Sequence, residues 1–201
     1  MILVSLLLSS LSSLSGLGAE PAAQMTELES RESWYWGFSL GYPALSYTGD
    51  TQDTSHRLRV DPTTSRVPFA VDLGAYWPLS VRHETLLGVS LRMVVDHYGV
   101  GGGDSVDIAQ QLLGVSGIVY TGPRLARGLF VRGDLGLAVS TLSDSSGFSR
   151  DSEPGVGGFA GFGYALPVGA GSRLLFQAGY GLNWIESQAF QAASVSVGAL
   201  F

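Results

Sequence analysis

The chain of 201 residues contains no cysteine and no lysine, and its eleven basic residues are all arginine. Without cysteine there is no disulfide framework, no zinc–thiolate site and no thiol nucleophile. The formal net charge of −6 and the lack of a basic cluster argue against nucleic acid as a partner. Charged residues make up 14% of the chain, where soluble domains have about a quarter. This shortage of charge, together with a mean hydropathy of +0.25, indicates a membrane protein.

Long apolar runs are also missing, because no stretch of 18 apolar residues follows residue 33. Residues 1–19 (MILVSLLLSSLSSLSGLGA) join a short apolar run to small residues, which predicts a signal peptide cut after Ala19, with Ala22 or Ala23 as later alternatives. No Lys or Arg precedes the run, a departure that a mis-assigned start codon would explain. A membrane-anchoring helix is the other interpretation, which the many serines weaken. The polar residues 20–33 predict a short periplasmic N-terminal extension.

What the sequence does contain is strict alternation with a period of two residues, which is typical of β-strands. In residues 173–184 (RLLFQAGYGLNW), Leu174 and Phe176 share one face, whereas Gln177 and Gly179 share the other. The same pattern predicts eight strands, at residues 34–42, 66–77, 86–97, 108–120, 129–141, 155–166, 173–184 and 191–201. These segments are long enough for a tilted strand to cross a bilayer, which takes about 9–11 residues.

The composition of the two faces decides between a soluble and a membrane barrel. One face of each strand is bulky and apolar, and the other is mainly Gly, Ala and Ser, with 28 glycines in the chain. A soluble barrel would carry many Lys, Glu and Thr outside, whereas a small-residue face suits the narrow interior of a barrel whose apolar face meets lipid. The sequence therefore predicts an all-β fold, an eight-stranded antiparallel up-and-down transmembrane β-barrel over residues 34–201.

Aromatic residues fall at both sets of strand ends, where membrane interfaces select them. The predicted aromatic girdle is Trp34, Trp36, Trp77, Tyr120, Tyr164 and Trp184, and Tyr42, Phe69, Tyr98, Phe190 and Phe201 also lie near strand ends. Eight strands put both termini on one side of the membrane, and an exported chain ends in the periplasm. The turns 78–85, 121–128 and 167–172 are then periplasmic, and the connections 43–65, 98–107, 142–154 and 185–190 face the exterior.

Five charged residues share the small-residue face of their strands and are predicted to point into the lumen: Asp72, Arg92, Asp96, Arg132 and Asp134. Asp72 and Arg92 are expected to lie opposite one another if the turn between their strands centres near residue 82. An unpaired charge inside a narrow barrel is costly, so a salt-bridged network that fixes the strands is the favoured interpretation. A gate that lines a polar path and a catalytic site are the alternatives.

No catalytic, cofactor-binding or metal site is predicted. Lipid-modifying barrels use His with Ser and an acid, but the lipid A deacylase pattern, with Ser two residues after His, is missing after His97, and His83 lies in a periplasmic turn. The triple glycine at 101–103 opens no helix and lacks a following Lys, so it is predicted to be a flexible loop rather than a phosphate site. The spacing of the outer acids matches no defined cation site.

The chain resembles the small eight-stranded outer-membrane β-barrels of Gram-negative bacteria, the group that includes the barrel of outer membrane protein A. The resemblance covers residues 34–201 and rests on the strand count, on the Gly–aromatic strand 158–166 (GFAGFGYAL) and on the C-terminal strand. Val195, Val197 and Phe201 match the family's assembly signal, from which Ala199 departs. The resemblance implies outer-membrane lipid and lipopolysaccharide as surroundings, and periplasmic chaperones and the barrel assembly machinery as partners during biogenesis.

These observations predict a non-enzymatic outer-membrane protein that anchors surface loops, with no cofactor, acting in envelope integrity, adhesion or ligand binding. The connection 43–65, rich in Thr, Ser and Asp, is the expected interaction surface. The alternatives are a narrow channel for small or apolar solutes and a lipid-modifying enzyme.

Overall fold

The computed structural model describes residues 34–79, 85–121, 127–169 and 171–201. The predicted signal peptide and N-terminal extension lie outside these ranges. His83, in the connection after residue 79, lies outside them as well. The described chain forms nine strands and one helix: β1 (Tyr35–Tyr47), α1 (Asp50–Val60), β2 (Ser65–Pro78), β3 (Thr85–Val100), β4 (Asp104–Tyr120), β5 (Gly128–Asp144), β6 (Ser149–Asp151), β7 (Gly155–Pro167), β8 (Arg173–Ile185) and β9 (Gln188–Leu200). Within these residues no helix is long and apolar enough to span a membrane.

Eight of the strands form a closed antiparallel barrel, which confirms the predicted fold. Neighbours in the sheet follow chain order, and β1 closes the barrel by pairing with β9 from Gly37–Leu200 to Tyr47–Phe190. At this seam Trp36 and Phe201 exchange two backbone hydrogen bonds of 2.7 and 2.9 Å. The three-residue β6 is not part of the closed barrel and pairs only with Thr141–Ser143, near the end of β5. Closure leaves no free sheet edge in the barrel, as a hydrocarbon environment requires.

The exterior of the barrel is apolar. Leu135 exposes 75% of its surface and Phe162 exposes 64%. Other outward-facing apolar residues come from every side of the barrel: Leu40, Leu73, Val89, Leu113, Val131, Phe176 and Val197. Water-soluble proteins rarely expose apolar patches of this extent, whereas lipid-facing strands carry them throughout. The chain is therefore a transmembrane barrel.

The two ends of the barrel differ. We call the end that carries α1 the mouth, and the end where β1 begins and β9 finishes the base. The outward-facing aromatic residues at the base are Trp34, Trp36, Trp77 and Tyr164. Trp184 also faces outward and lies near the mouth.

The prediction that Tyr120 belongs to the aromatic girdle is wrong. Its ring is buried in the lumen, with its centroid 5.6 Å from that of Phe130. Tyr98 and Phe190, which also lie near strand ends, are buried as well. Tyr120 shares the parity of the inward-facing Ser116 on β4, and parity, rather than nearness to a strand end, decides which face a side chain takes.

The mouth is more ordered than the sequence predicts. β3, β4 and β5 reach 16, 17 and 17 residues, so their hairpins extend past the length needed to cross a bilayer. The predicted loop 43–65 contains α1, whose first turn carries Asp50 and Asp53 and whose last turn carries Arg57 and Arg59, an order that complements the helix dipole. The connection between β8 and β9 shrinks to two residues.

Paired glycines let neighbouring strands approach closely inside the barrel. Gly114 on β4 lies opposite Gly136 on β5. A Cβ atom added to Gly136 would lie 2.1 Å from the carbonyl oxygen of Leu113. On the same two strands, the outward-facing pair Gly117–Gly133 has no atom within 4 Å of either added Cβ. The inner pair therefore requires glycine, and the outer pair does not.

We expect Gly136→Ala to lower the free energy of unfolding by about 1–3 kcal/mol, the usual cost of overpacking, because the new methyl group must displace backbone. Gly133→Ala is the matched control and should stay within about 0.5 kcal/mol of the original chain. Urea unfolding of the barrel refolded in lipid vesicles measures both variants. Equal stability of the two would contradict the close approach of β4 and β5.

Candidate functional site

Four buried charged side chains form a layer midway along the lumen, which we call the charge layer: Asp72, Arg92, Arg132 and Asp134. Asp72 lies opposite Arg92 in the β2–β3 register, and Arg92 Nη1 is 3.1 Å from Asp72 Oδ2. Arg132 joins the two acids, since its Nη2 is 2.6 Å from Asp134 Oδ2 and 3.4 Å from Asp72 Oδ1. Two positive and two negative charges thus compensate one another, as burial in a medium of low dielectric constant requires.

Neutral groups complete the charge layer. Phe159 lies close to both arginines, with its ring centroid 4.1 Å from Arg92 Cζ and 5.4 Å from Arg132 Cζ, which adds cation–π attraction. Three serines supply hydrogen bonds: Ser39 donates to Asp72, Ser116 donates to Asp134, and Ser194 accepts from Arg92. The layer is therefore held by partners from strands all around the barrel.

Apolar side chains fill the lumen on both sides of the charge layer. The base-side apolar layer contains Tyr35, Tyr76, Leu86, Ile118, Tyr120, Phe130, Ala165 and Leu200. The mouth-side apolar layer contains Leu45, Tyr47, Ala70, Val94, Tyr98, Ile108, Leu112, Ala138, Phe159, Ile185, Phe190 and Ala192. Cavities beside the charge layer measure about 20 and 10 Å³. A water molecule needs about 10–15 Å³, so these cavities accommodate single waters rather than a solute.

Asp96 is a second buried charge, nearer the mouth. Its carboxylate accepts hydrogen bonds from Arg66 Nε at 2.6 Å and from the hydroxyls of Tyr47 and Tyr98 at 2.8 and 2.7 Å. Arg59 of α1 places its Nη2 3.8 Å from the same carboxylate. Asp96 therefore ties α1 to the barrel wall.

Other contacts fasten α1 across the mouth. Leu58 packs against the mouth-side apolar layer, and Ser55 is buried. At the opposite end of the helix, the Thr51 hydroxyl donates a 3.0 Å hydrogen bond to Gln188 Oε1 on β9. The segment predicted as a surface loop is thus a docked helix, held near both of its ends.

A polar pocket of about 200 Å³ opens between α1, the β5–β6 hairpin and the β8–β9 turn, and we call it the mouth pocket. Its charged residues are Asp50, Arg150 and Glu186. Among the described residues, the side chains of Asp50 and Arg150 form no hydrogen bond or ion pair. Larger grooves lie on the lipid-facing exterior, where apolar side chains line them.

His97 lies outside the lumen, close to the mouth. Its Nδ1 is 2.6 Å from Asp107 Oδ1, and the two side chains expose 40% and 38% of their surface. Such a pair can orient a general base, but acyl transfer also needs a nucleophile. Within the described part of the chain, His97 has no hydrogen bond to a hydroxyl group.

The structure divides the predicted lumen charges into two groups, with Asp96 apart from the other four. The sequence reasoning missed Arg66, although its even number places it on the same face of β2 as Asp72. It also missed Phe159, which shares the small-residue face of β7. The predicted assembly residues Val195, Val197 and Phe201 all face outward.

Solved structures with this fold include two small bacterial barrels. Ail, the attachment invasion locus protein of Yersinia pestis, solved in complex with the heparin analogue sucrose octasulfate, aligns with a TM-score of 0.56 and 12% identity over 85% of this chain and 100% of that one. Neisserial surface protein A aligns with a TM-score of 0.51 and 13% identity over 83% and 96%. No family model and no curated protein matches the sequence. The chain therefore has the fold of small eight-stranded outer-membrane barrels.

Arg132→Met should lower the free energy of unfolding by about 3–5 kcal/mol, because Asp134 loses its buried counter-charge. Arg92→Met should destabilise the barrel less, since Asp72 keeps Arg132 and Ser39 as partners. The exposed Arg57 provides the control Arg57→Met, expected within about 0.5 kcal/mol of the original chain. Urea titration in vesicles reports all three values, and an Arg132→Met barrel as stable as the control would refute the role of the layer.

Asp96→Asn should loosen α1, because Arg59 and Arg66 lose their shared counter-charge. We expect trypsin to cut after Arg57 and Arg59 several times faster, while the barrel stays intact on a gel. Asp104→Asn, at the tip of the β3–β4 hairpin, is the control for removing an acid at the mouth. Mass spectrometry of the fragments measures the rates, and unchanged cleavage would show that α1 is held without Asp96.

Proposed function

We propose that this protein is a non-enzymatic outer-membrane protein whose barrel is closed to solutes and holds a binding surface at its mouth. The observation that carries the proposal is the filled lumen, in which the charge layer lies between two apolar layers. A channel needs a continuous lumen, and cavities of about 20 and 10 Å³ do not supply one. α1, fastened across the mouth, then provides the surface that the predicted loop was expected to provide.

The proposed location is the bacterial outer membrane, with both termini in the periplasm and α1 at the cell surface. The apolar exterior supports a lipid environment, and the shared fold with Ail and Neisserial surface protein A supports the outer membrane. Outer-membrane lipid and lipopolysaccharide then surround the barrel. Periplasmic chaperones and the barrel assembly machinery are the proposed partners during biogenesis, and the outward positions of Val195, Val197 and Phe201 leave that signal accessible.

The charge of the mouth favours cationic rather than anionic ligands. Acidic residues at the mouth of the barrel are Asp50, Asp53, Asp61, Asp96, Asp104, Asp107, Asp144, Asp151, Glu153 and Glu186, and the arginines are Arg57, Arg59, Arg66 and Arg150. An excess of negative charge repels polyanions and concentrates cations near the surface. A sulfated ligand such as the one bound to the Yersinia protein does not match this surface, whereas a ligand with an ammonium group does.

Planar-bilayer recording tests the closed lumen. The purified barrel should give no conductance steps, because side chains occlude the lumen at three successive levels. A porin reconstituted in the same way controls for insertion and detection. Reproducible steps from the barrel itself would contradict the proposal and favour the narrow-channel alternative.

Cysteine labelling tests the orientation, since the chain has no cysteine of its own. His56→Cys, exposed on α1, should react with a membrane-impermeant maleimide on intact cells. Val168→Cys, exposed at the base, should react only after the outer membrane is opened. The reverse pattern would place the mouth in the periplasm and overturn the proposed topology.

A further inference from the structure

We propose that the mouth pocket binds a small zwitterion with an apolar body, of the size and chemistry of a free amino acid with an aliphatic side chain. The inference rests on the proposed function, because it names the ligand class of the surface that the closed barrel holds. The pocket measures about 200 Å³. For comparison, an apolar cavity of about 150 Å³ binds benzene, so the mouth pocket has room for a compact organic molecule.

The charges of the pocket fit a zwitterion better than they fit an ion of one sign. Arg150 offers a guanidinium group, and Asp50 and Glu186 offer carboxylates. Within the described chain the side chains of Asp50 and Arg150 form no hydrogen bond or ion pair with each other or with any other residue. A ligand carboxylate can take two parallel hydrogen bonds from Arg150, and a ligand ammonium group can donate to the two acids. Asp50 and Arg150 then acquire partners, and Glu186 gains one in addition to the Glu153 backbone amide.

The floor of the pocket is apolar and its rim is polar. Ile108, Ile185 and Phe190 are buried beneath it, and Leu142 packs against the same layer. Hydroxyl groups lie around the opening, from Thr51, Thr54, Ser140 and Ser152. An aliphatic ligand body would bury against this floor, which stabilises binding through the hydrophobic effect.

The frame of the pocket is fixed before a ligand arrives. Glu186 and Ser187 are the non-glycine residues of the described chain with positive φ, at 49° and 67°, in a turn that usually takes Asn or Gly. Placing Glu there costs backbone strain, of the kind that clusters at functional sites. Its Oε1 accepts a 2.9 Å hydrogen bond from the Glu153 backbone amide, which aims the carboxylate. The Ser140 amide donates 2.9 Å to Ser152 Oγ and holds the β5–β6 hairpin in place.

Three probes separate the contributions of the ligand's charges. L-Leucine carries both charges, L-leucinamide keeps the ammonium group alone, and N-acetyl-L-leucine keeps the carboxylate alone. In calorimetric titration of the whole refolded chain, L-leucine should bind saturably, and each analogue should bind at least about tenfold more weakly, the effect of losing one charge-assisted hydrogen bond.

Variants assign the charges to residues. Arg150→Gln should reduce L-leucine affinity to that of L-leucinamide while leaving L-leucinamide binding unchanged. The double variant Asp50→Asn/Glu186→Gln should reduce L-leucine affinity to that of N-acetyl-L-leucine while leaving N-acetyl-L-leucine binding unchanged. Arg57→Gln and Asp53→Asn, on α1 but outside the pocket, are the matched controls and should bind all three probes like the original chain.

Absence of saturable L-leucine binding overturns the inference, as does equal affinity for L-leucine in Arg150→Gln and Arg57→Gln. Those results leave the proposed function standing, provided that the barrel is silent in the bilayer and α1 is labelled from outside. Conductance steps or reversed labelling would overturn the proposed function itself. The two failures are therefore distinguishable.

Discussion

Hydrocarbon offers no hydrogen bonds to a peptide backbone, and most of this structure follows from that constraint. The sheet must close, β1 on β9, and eight strands enclose a lumen that is only wide enough for side chains. Inward positions are therefore glycine and other small residues, apolar side chains packed in two layers, or charges that neutralise one another. Gly114 and Gly136 let β4 and β5 approach, and the charge layer fills the remaining width. The chain has few charged residues because the lipid-facing half of each strand excludes them.

The strand count, the two faces and the closure could be predicted because alternation is a local signal and lipid determines which face is apolar. The strand ends at the mouth could not, because beyond the bilayer both faces become polar and the contrast disappears. β5 therefore continues to Asp144 although its pattern fades near Thr141. α1 could not be predicted either, since Leu58 and Val60 are its only large apolar residues. Short helices of this kind are stable mainly through tertiary contacts, here those of Leu58 and Arg59.

The candidate site shows the same division. The pairing of Asp72 with Arg92 follows from register along one hairpin, which a sequence contains. The partners of Asp96 come from β1, β2, β3 and α1, and the mouth pocket combines α1, β5, β6 and the β8–β9 turn. Such assemblies depend on how distant segments are brought together by closure, which local patterns do not encode. Tyr120 illustrates the limit within one strand, because its position at the strand end suggests the interface whereas its parity directs the ring into the lumen.

A closed sheet has a further problem of alignment, because strands can slide past one another by two residues without exchanging their faces. The charge layer gives these alignments different free energies. Sliding β2 by two residues along β3 would bring Asp72 opposite Ser90 or Val94 instead of Arg92, and leave charges without partners in a medium of low dielectric constant. The hydrogen bond from Arg132 to Asp72 constrains the alignment of β5 relative to β2 across the lumen in the same way. The four side chains of the charge layer are thus fully paired only when the strands have their native alignment.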